Sequence, residues 1–346
     1  MQVAFGIFDH MERREVPLEQ LYEERLQLLE AADRGGIFCY HVAEHHSTPL
    51  GMAPSPNVFL AALAMRTRKI HFGPLVYLLP LYHPIRLVEE ICMLDNLSNG
   101  RLEVGVGRGI SPYELGYFDV GFLESRDIFE ESLKAIVQGL RERKISHRGE
   151  RYKFAGAPME LTPKQKPNPP FWYGASTPDG LTFAARHRMQ IVTGGPDNIV
   201  KGTATAYREL LEKFGDSPDN LNPHIAEPKI GGLRHFFIAD SDQEAIEIAT
   251  PAYRVYYNNI VKLWRDFGTV PTLFTDDLAR AMAGQAAIVG SPKSVREKIA
   301  AYFEGSGTNY LVLSFAWGGL TFEQSRHSME LFASEVMPHF MKRAER

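Results

Sequence analysis

Two hydrophobic periods take turns along this chain. Short apolar runs of strand length are followed by longer stretches whose apolar residues return every three or four positions, as on one face of a helix. Val3–Phe8 reads as the first strand. Leu18–Arg34 then carries Leu18, Leu21, Leu26, Leu28, Leu29 and Ala32 at helical spacing, and Gly35-Gly36 stops it. Ile37–Ala43 is a second strand, and Pro54-Ser55-Pro56-Asn57 introduces a helix over Val58–Arg66. Ile70–Leu79 is the third strand, His83–Leu97 the third helix, Ser98-Asn99-Gly100 a tight turn and Leu102–Val106 the fourth strand.

The second half repeats the alternation less regularly. Asp127–Arg143 reads as a helix, and the polar, Pro-rich stretch of about 145–170 as an insertion. Strands follow at Phe171–Gly174, Gln190–Thr193, Leu233–Ala239 and Tyr310–Phe315, separated by helices at Pro178–Arg188, Ile199–Phe214, Ser241–Tyr257 and Ser291–Phe303. Phe322–Phe340 closes the chain as a helix, whereas about 258–290 shows weak periodicity and reads as a lid. Eight strands alternating with eight helices predict an α/β fold, a closed (β/α)8 TIM barrel with insertions, in one domain over 1–346. A doubly wound sheet is the alternative, disfavoured by the number of strand–helix units and by the lack of a break between halves.

Composition narrows the partners. The chain has 346 residues, 44% of them hydrophobic, a formal charge of -4 and a pI near 6.3, which speaks against a nucleic-acid surface. Arg13-Arg14, Arg141-Glu142-Arg143-Lys144 and Lys342-Arg343 are short, interrupted basic clusters on solvated faces. Cys39 and Cys92 sit in apolar surroundings and read as buried thiols, with no Cys or His spacing that suits a metal. No stretch reaches the ~18 apolar residues of a membrane span, and the expected location is cytoplasmic.

A barrel of this kind collects its chemistry at the strand exits. Glu44-His45-His46 follows strand two; an imidazole there suits acid–base work, or serves the structure alone. In Gly105-Val106-Gly107-Arg108-Gly109 the third glycine comes too early for a dinucleotide fingerprint. Missing side chains there would admit a flat ligand, with Arg108 aimed at an anion or serving the fold. Gly174-Ala175-Ser176-Thr177-Pro178 is a helix start whose free N–H groups favour an anion.

Leu79-Pro80-Leu81-Tyr82-His83-Pro84, Leu94-Asp95-Asn96-Leu97-Ser98-Asn99-Gly100-Arg101, Gly105–Gly109, Glu44-His45-His46 and Val289-Gly290-Ser291-Pro292 occur in an order that resembles the bacterial luciferase-like flavin monooxygenases. The resemblance runs from Val3 to the Leu331–Pro338 tail. It implies a TIM barrel that binds FMN, taken up as reduced FMN from a separate NAD(P)H:flavin reductase. Oxygen would then form a flavin 4a-hydroperoxide that attacks an aldehyde, ketone or terpene-like substrate. By the same resemblance His45 is the catalytic imidazole, and Arg108 grips the flavin phosphate with Ser176 and Thr177. Leu75-Val76 would be a non-prolyl cis peptide beside the ring, Gly107 stands where luciferase carries a reactive cysteine, and the chain would form a homodimer through barrel helices two and three. The lid holds few arginines, only Arg265 and Arg280, so light emission does not follow. A deazaflavin-dependent hydride-transfer enzyme and a non-catalytic flavin-binding protein are the competing readings on the same barrel.

Overall fold

A computed structural model describes residues 3–272 and 274–341. Twelve strands are present among them: β1 Ala4–Asp9, β2 Cys39–Val42, β3 His71–Pro74, β4 Tyr77–Leu78, β5 Val104–Gly107, β6 Lys144–Arg148, β7 Lys153–Pro158, β8 Phe171–Gly174, β9 Gln190–Thr193, β10 Ile230–Ile238, β11 Ala287–Gly290 and β12 Tyr310–Ser314. The main sheet runs β3-β2-β1-β12-β10-β9-β8-β5-β4, with β11 also paired to β10. All these pairings are parallel. A parallel bridge between Phe72 and Leu102 joins β3 to the chain entering β5 and closes the wall. The predicted α/β barrel is therefore present.

Helices pack around the outside, and their apolar faces with the outward strand residues make the largest core, including Leu29, Leu60, Leu63, Ile91 and Ile136. Phe8, Ala43, Leu75, Trp172, Val192, Tyr310 and Val312 form a second cluster. Here polar groups are matched in pairs. Glu103 accepts from Trp172 Nε1 at 2.5 Å, from Gln190 Nε2 at 3.3 Å and from His71 Nδ1 at 2.9 Å, and His41 Nε2 lies 2.9 Å from the Tyr310 hydroxyl. Hydrogen bonds made in this way offset the cost of burying the polar groups and stiffen the core.

Three expectations need correction. The predicted third strand, Ile70–Leu79, is two strands, broken where the Leu75–Val76 peptide is cis. Strand seven begins at Ile230, not Leu233, because Gly231 and Gly232 leave space filled by the Tyr310 and Tyr302 rings. The last helix ends at Leu331, a π turn covers Phe332–Val336, and Pro338–Met341 adds one turn. Within 145–170, β6 and β7 pair antiparallel in a small sheet of their own. Within 258–290 the chain forms helices at Lys262–Asp266 and Leu278–Ala283, then enters the barrel wall as β11.

Candidate active site

At the C-terminal ends of β1, β2, β4, β5 and β8 the wall opens into a cavity of about 280 Å3. His45, Leu75, Val76, Gly107, Arg108, Ser176 and Thr177, spread over more than a third of the sequence, all line it. Parallel strands deliver their exits to one face, so this convergence follows from topology alone.

The Glu44-His45-His46 motif divides its labour. Glu44 is buried and accepts from His46 Nε2 at 2.9 Å, from the Leu78 N–H at 3.1 Å and from the Tyr82 hydroxyl at 2.9 Å. Burial pushes its carboxyl above the ordinary range, and those three donors pull back. Glu44 thus ties β2 to β4, and His46 serves it. His45 instead presents Nδ1 to Glu114 Oε1 at 3.1 Å, while Glu114 Oε2 accepts the His46 N–H at 3.0 Å. A carboxylate only accepts, so this contact assigns the proton to Nδ1 and leaves Nε2 for chemistry. Gly51 seats the ring, since a Cβ there would come within 2.8 Å of His45 Cβ.

At the other end, the Arg108 guanidinium stacks over Phe122 at 4.5 Å and has no carboxylate partner among the described residues. Thr177 caps the helix Pro178–Arg186 by accepting the Gly180 N–H at 3.2 Å, which leaves its own O–H to donate outward. Ser176 beside it is exposed. Burial pushes the Tyr173 hydroxyl up, and the charges of Arg126 and Arg108 pull it back. An unpaired guanidinium, free hydroxyls and a helix N-terminus fit a phosphate-bearing ligand.

Gly107 lines the cavity, and a Cβ there would lie 2.5 Å from Val76 Cγ2, so its missing side chain accommodates Val76.

Behind His45 lies a smaller chamber of about 70 Å3, walled partly by Ile260, Leu263, Trp264 and Phe274. His10, Ser111 and Glu114 border both spaces. None of these three stood out in the sequence. His10 is the first residue past β1, and the strand-exit rule that finds His45 also finds it. Glu114 gives no such signal, because it lies 69 residues from His45 and its role exists only after folding. Tyr113 stacks on Phe267 with ring centres 4.0 Å apart and meets Trp264, which lines the chamber, edge-on. A wider groove of about 890 Å3 runs outside the barrel along the helices Ser125–Glu142 and Pro178–Arg186, and none of the predicted residues lines it.

The sequence profile of the luciferase-like monooxygenases matches residues 3–309. The uncharacterised protein y4wF of Sinorhizobium fredii is 36% identical, over 97% of this chain and 97% of its own. The oxygenase component of a flavin-dependent trigonelline monooxygenase from Acinetobacter baylyi is 30% identical, over 98% of this chain and 96% of its own. Among solved structures, the monooxygenase RslO1 of Streptomyces bottropensis superposes with a TM-score of 0.83 at 29% identity, covering 97% of this chain and 99% of that one.

Proposed function

The chain belongs to the luciferase-like monooxygenases, and from that premise we propose that it uses reduced FMN and O2 to oxygenate a small organic substrate. One oxygen atom enters the substrate, the other leaves as water, and reduced FMN becomes FMN. The observation that carries the reading is the two-ended cavity. Arg108, Ser176 and Thr177 suit a flavin phosphate at one end, and the His45–Glu114 pair stands at the other. When bound, reduced FMN supplies two electrons and the C4a carbon at which oxygen is activated.

Each residue then has a task. Arg108 and the Ser176 and Thr177 hydroxyls would hold the phosphate and thereby fix where the ring lies. Leu75 and Val76 would give the ring an apolar wall, with Gly107 letting Val76 sit flush against β5. His45, its Nδ1 held by Glu114, moves a proton through Nε2. The segment 258–290 acts as a lid that keeps water from the reacting atoms. A separate NAD(P)H:flavin reductase supplies the reduced flavin, a reading supported by the relative described as an oxygenase component. Two buried free thiols fit a cytoplasmic setting, and exposed Val58, Met65, Met93 and Leu97 on the helices Pro56–Arg66 and Pro84–Leu97 support a homodimer.

Cofactor titration and rapid mixing test the proposal together. The parent protein binds FMN more tightly than riboflavin, and Arg108→Ala loses about 1.5–3 kcal/mol for FMN and little for riboflavin. Mixing the reduced complex with O2 gives a spectral transient between reduced and oxidised flavin. Tight binding of a deazaflavin in preference to FMN, or oxidation with no transient, would reject the reading.

A further inference from the structure

We propose that the chamber behind His45 receives the substrate and that His10 selects it, the occupant being an uncharged single-ring compound whose one oxygen accepts a hydrogen bond from the imidazole. This deepens the monooxygenase reading and rests on it.

Four observations converge on that assignment. The first is position: His10 borders both the flavin-sized cavity and the chamber, with its ring centre 5.5 Å from that of His45. A molecule held by His10 therefore sits beside the imidazole that serves the reaction. The second is an unmet hydrogen-bonding capacity. Phe8 and Tyr256 pack around the His10 ring, at 4.8 and 6.0 Å between centres, and no hydrogen bond to it is formed among the described residues. Burial holds this imidazole well below its usual range, and His45 and His235 nearby add to the effect. It is neutral, with one N–H to donate, and an imidazole that lines two cavities without a hydrogen-bond partner among the described residues favours a ligand that supplies one.

Charge is the third observation. No lysine or arginine lines the chamber, and its carboxylate, Glu114, is already held by His45 and the His46 N–H. An anionic substrate finds no counter-charge there. The fourth is size and polarity. About 70 Å3 corresponds to about five water positions, room for one ring. Leu50, Ile110, Ile260, Leu263, Trp264 and Phe274 give it apolar and aromatic walls, which match the carbon skeleton and leave its oxygen to His10.

The test uses two size-matched pairs of probes: cyclohexanone with methylenecyclohexane, and cyclohexanecarboxamide with cyclohexanecarboxylate. Their binding is followed by tryptophan emission, to which Trp264 in the chamber wall contributes, without flavin and again with FMN. The parent should prefer the ketone to the alkene about three- to tenfold, the value of one hydrogen bond, and should bind the carboxylate more weakly than the carboxamide. In His10→Phe that preference should vanish while alkene affinity persists, which shows the variant is folded. His10→Gln, which keeps a donor, should retain part of the preference. A preference unchanged in His10→Phe, or absent from the parent, overturns the proposal, as does a parent that binds none of the probes. Failure to bind FMN with the ketone preference intact would instead remove the cofactor reading and leave the chamber standing.

Discussion

Glu12 lies buried just past β1, where one carboxylate oxygen accepts from Asn259 Nδ2 at 2.9 Å and the other has no partner. Burial is the main reason its carboxyl is pushed up from 4.5 to about 7, opposed by the Asn259 donor. A carboxyl raised in the folded state contributes stability that is full below the unfolded value and is lost as pH climbs through the folded one. The window is therefore about pH 4.5 to 7, and the whole effect is about 3 kcal/mol. His41 and His235, both lowered by burial to about 3, work in the opposite sense and destabilise the fold as pH falls below the ordinary imidazole range. Glu12→Gln keeps the contact with Asn259 and removes only the carboxyl titration. Its melting temperature minus the parent's should rise between pH 5 and 8; a flat difference would show that Glu12 titrates normally. At this scale Arg108 and His45 were legible because each stands beside a strand exit. Glu12 was not, because only the folded packing around Gly318 and Asn259 isolates it from water.

The short helix Pro112–Gly116 joins two parts of the site. Tyr113 stacks on Phe267 of the segment that lends Ile260, Leu263, Trp264 and Phe274 to the chamber wall, and Glu114 next to it holds His45 and the His46 N–H. Tyr113→Leu should loosen that segment and release more hydrogen peroxide per flavin oxidised, with FMN affinity unchanged; unaltered peroxide yield would count against a lid. Glu114→Gln should slow oxygenation roughly ten- to a hundredfold and shift its pH profile, again with FMN bound as before. An unshifted profile would make Glu114 a purely structural partner. Periodicity located the elements that are long and one-sided, such as Leu18–Gly35 and Ser125–Glu142. It missed β11, four residues inside an irregular stretch, and the break between β3 and β4, because short apolar strands carry no period to read.

At the scale of the whole molecule, the helices Pro56–Arg66 and Pro84–Leu97 pack on each other and still leave Val58 at 74% exposure and Met65 at 61%. Val58→Asp combined with Met65→Asp should turn a dimer into a monomer in light scattering while the barrel and its flavin affinity persist. A parent that is already monomeric would remove the dimer from the account. The barrel as a class was readable because its strand count and spacing repeat, whereas its second chamber was not, since its walls come together from His10 past β1, from His45, Thr48 and Leu50 past β2, from Ile110, Ser111 and Glu114, and from Ile260, Leu263, Trp264 and Phe274. The long strand β10 shares one edge between two neighbours, β9 along Ile230–Gly232 and β11 along His235–Ile238. The chain between β10 and β11, which supplies Ile260, Leu263, Trp264 and Phe274 to the chamber wall, thus leaves the end of β10 and returns along the edge of the same strand, Ala287 opposite His235. Lengthening such an excursion raises its closure entropy only logarithmically. The excursion is therefore pinned to one strand at both ends, and its first helix, Asp242–Ile260, is fastened to the chain past β1 through Asn259 on Glu12 and Tyr256 against His10, so a change of length belongs after that helix, where it leaves the register of β10 with β11 alone.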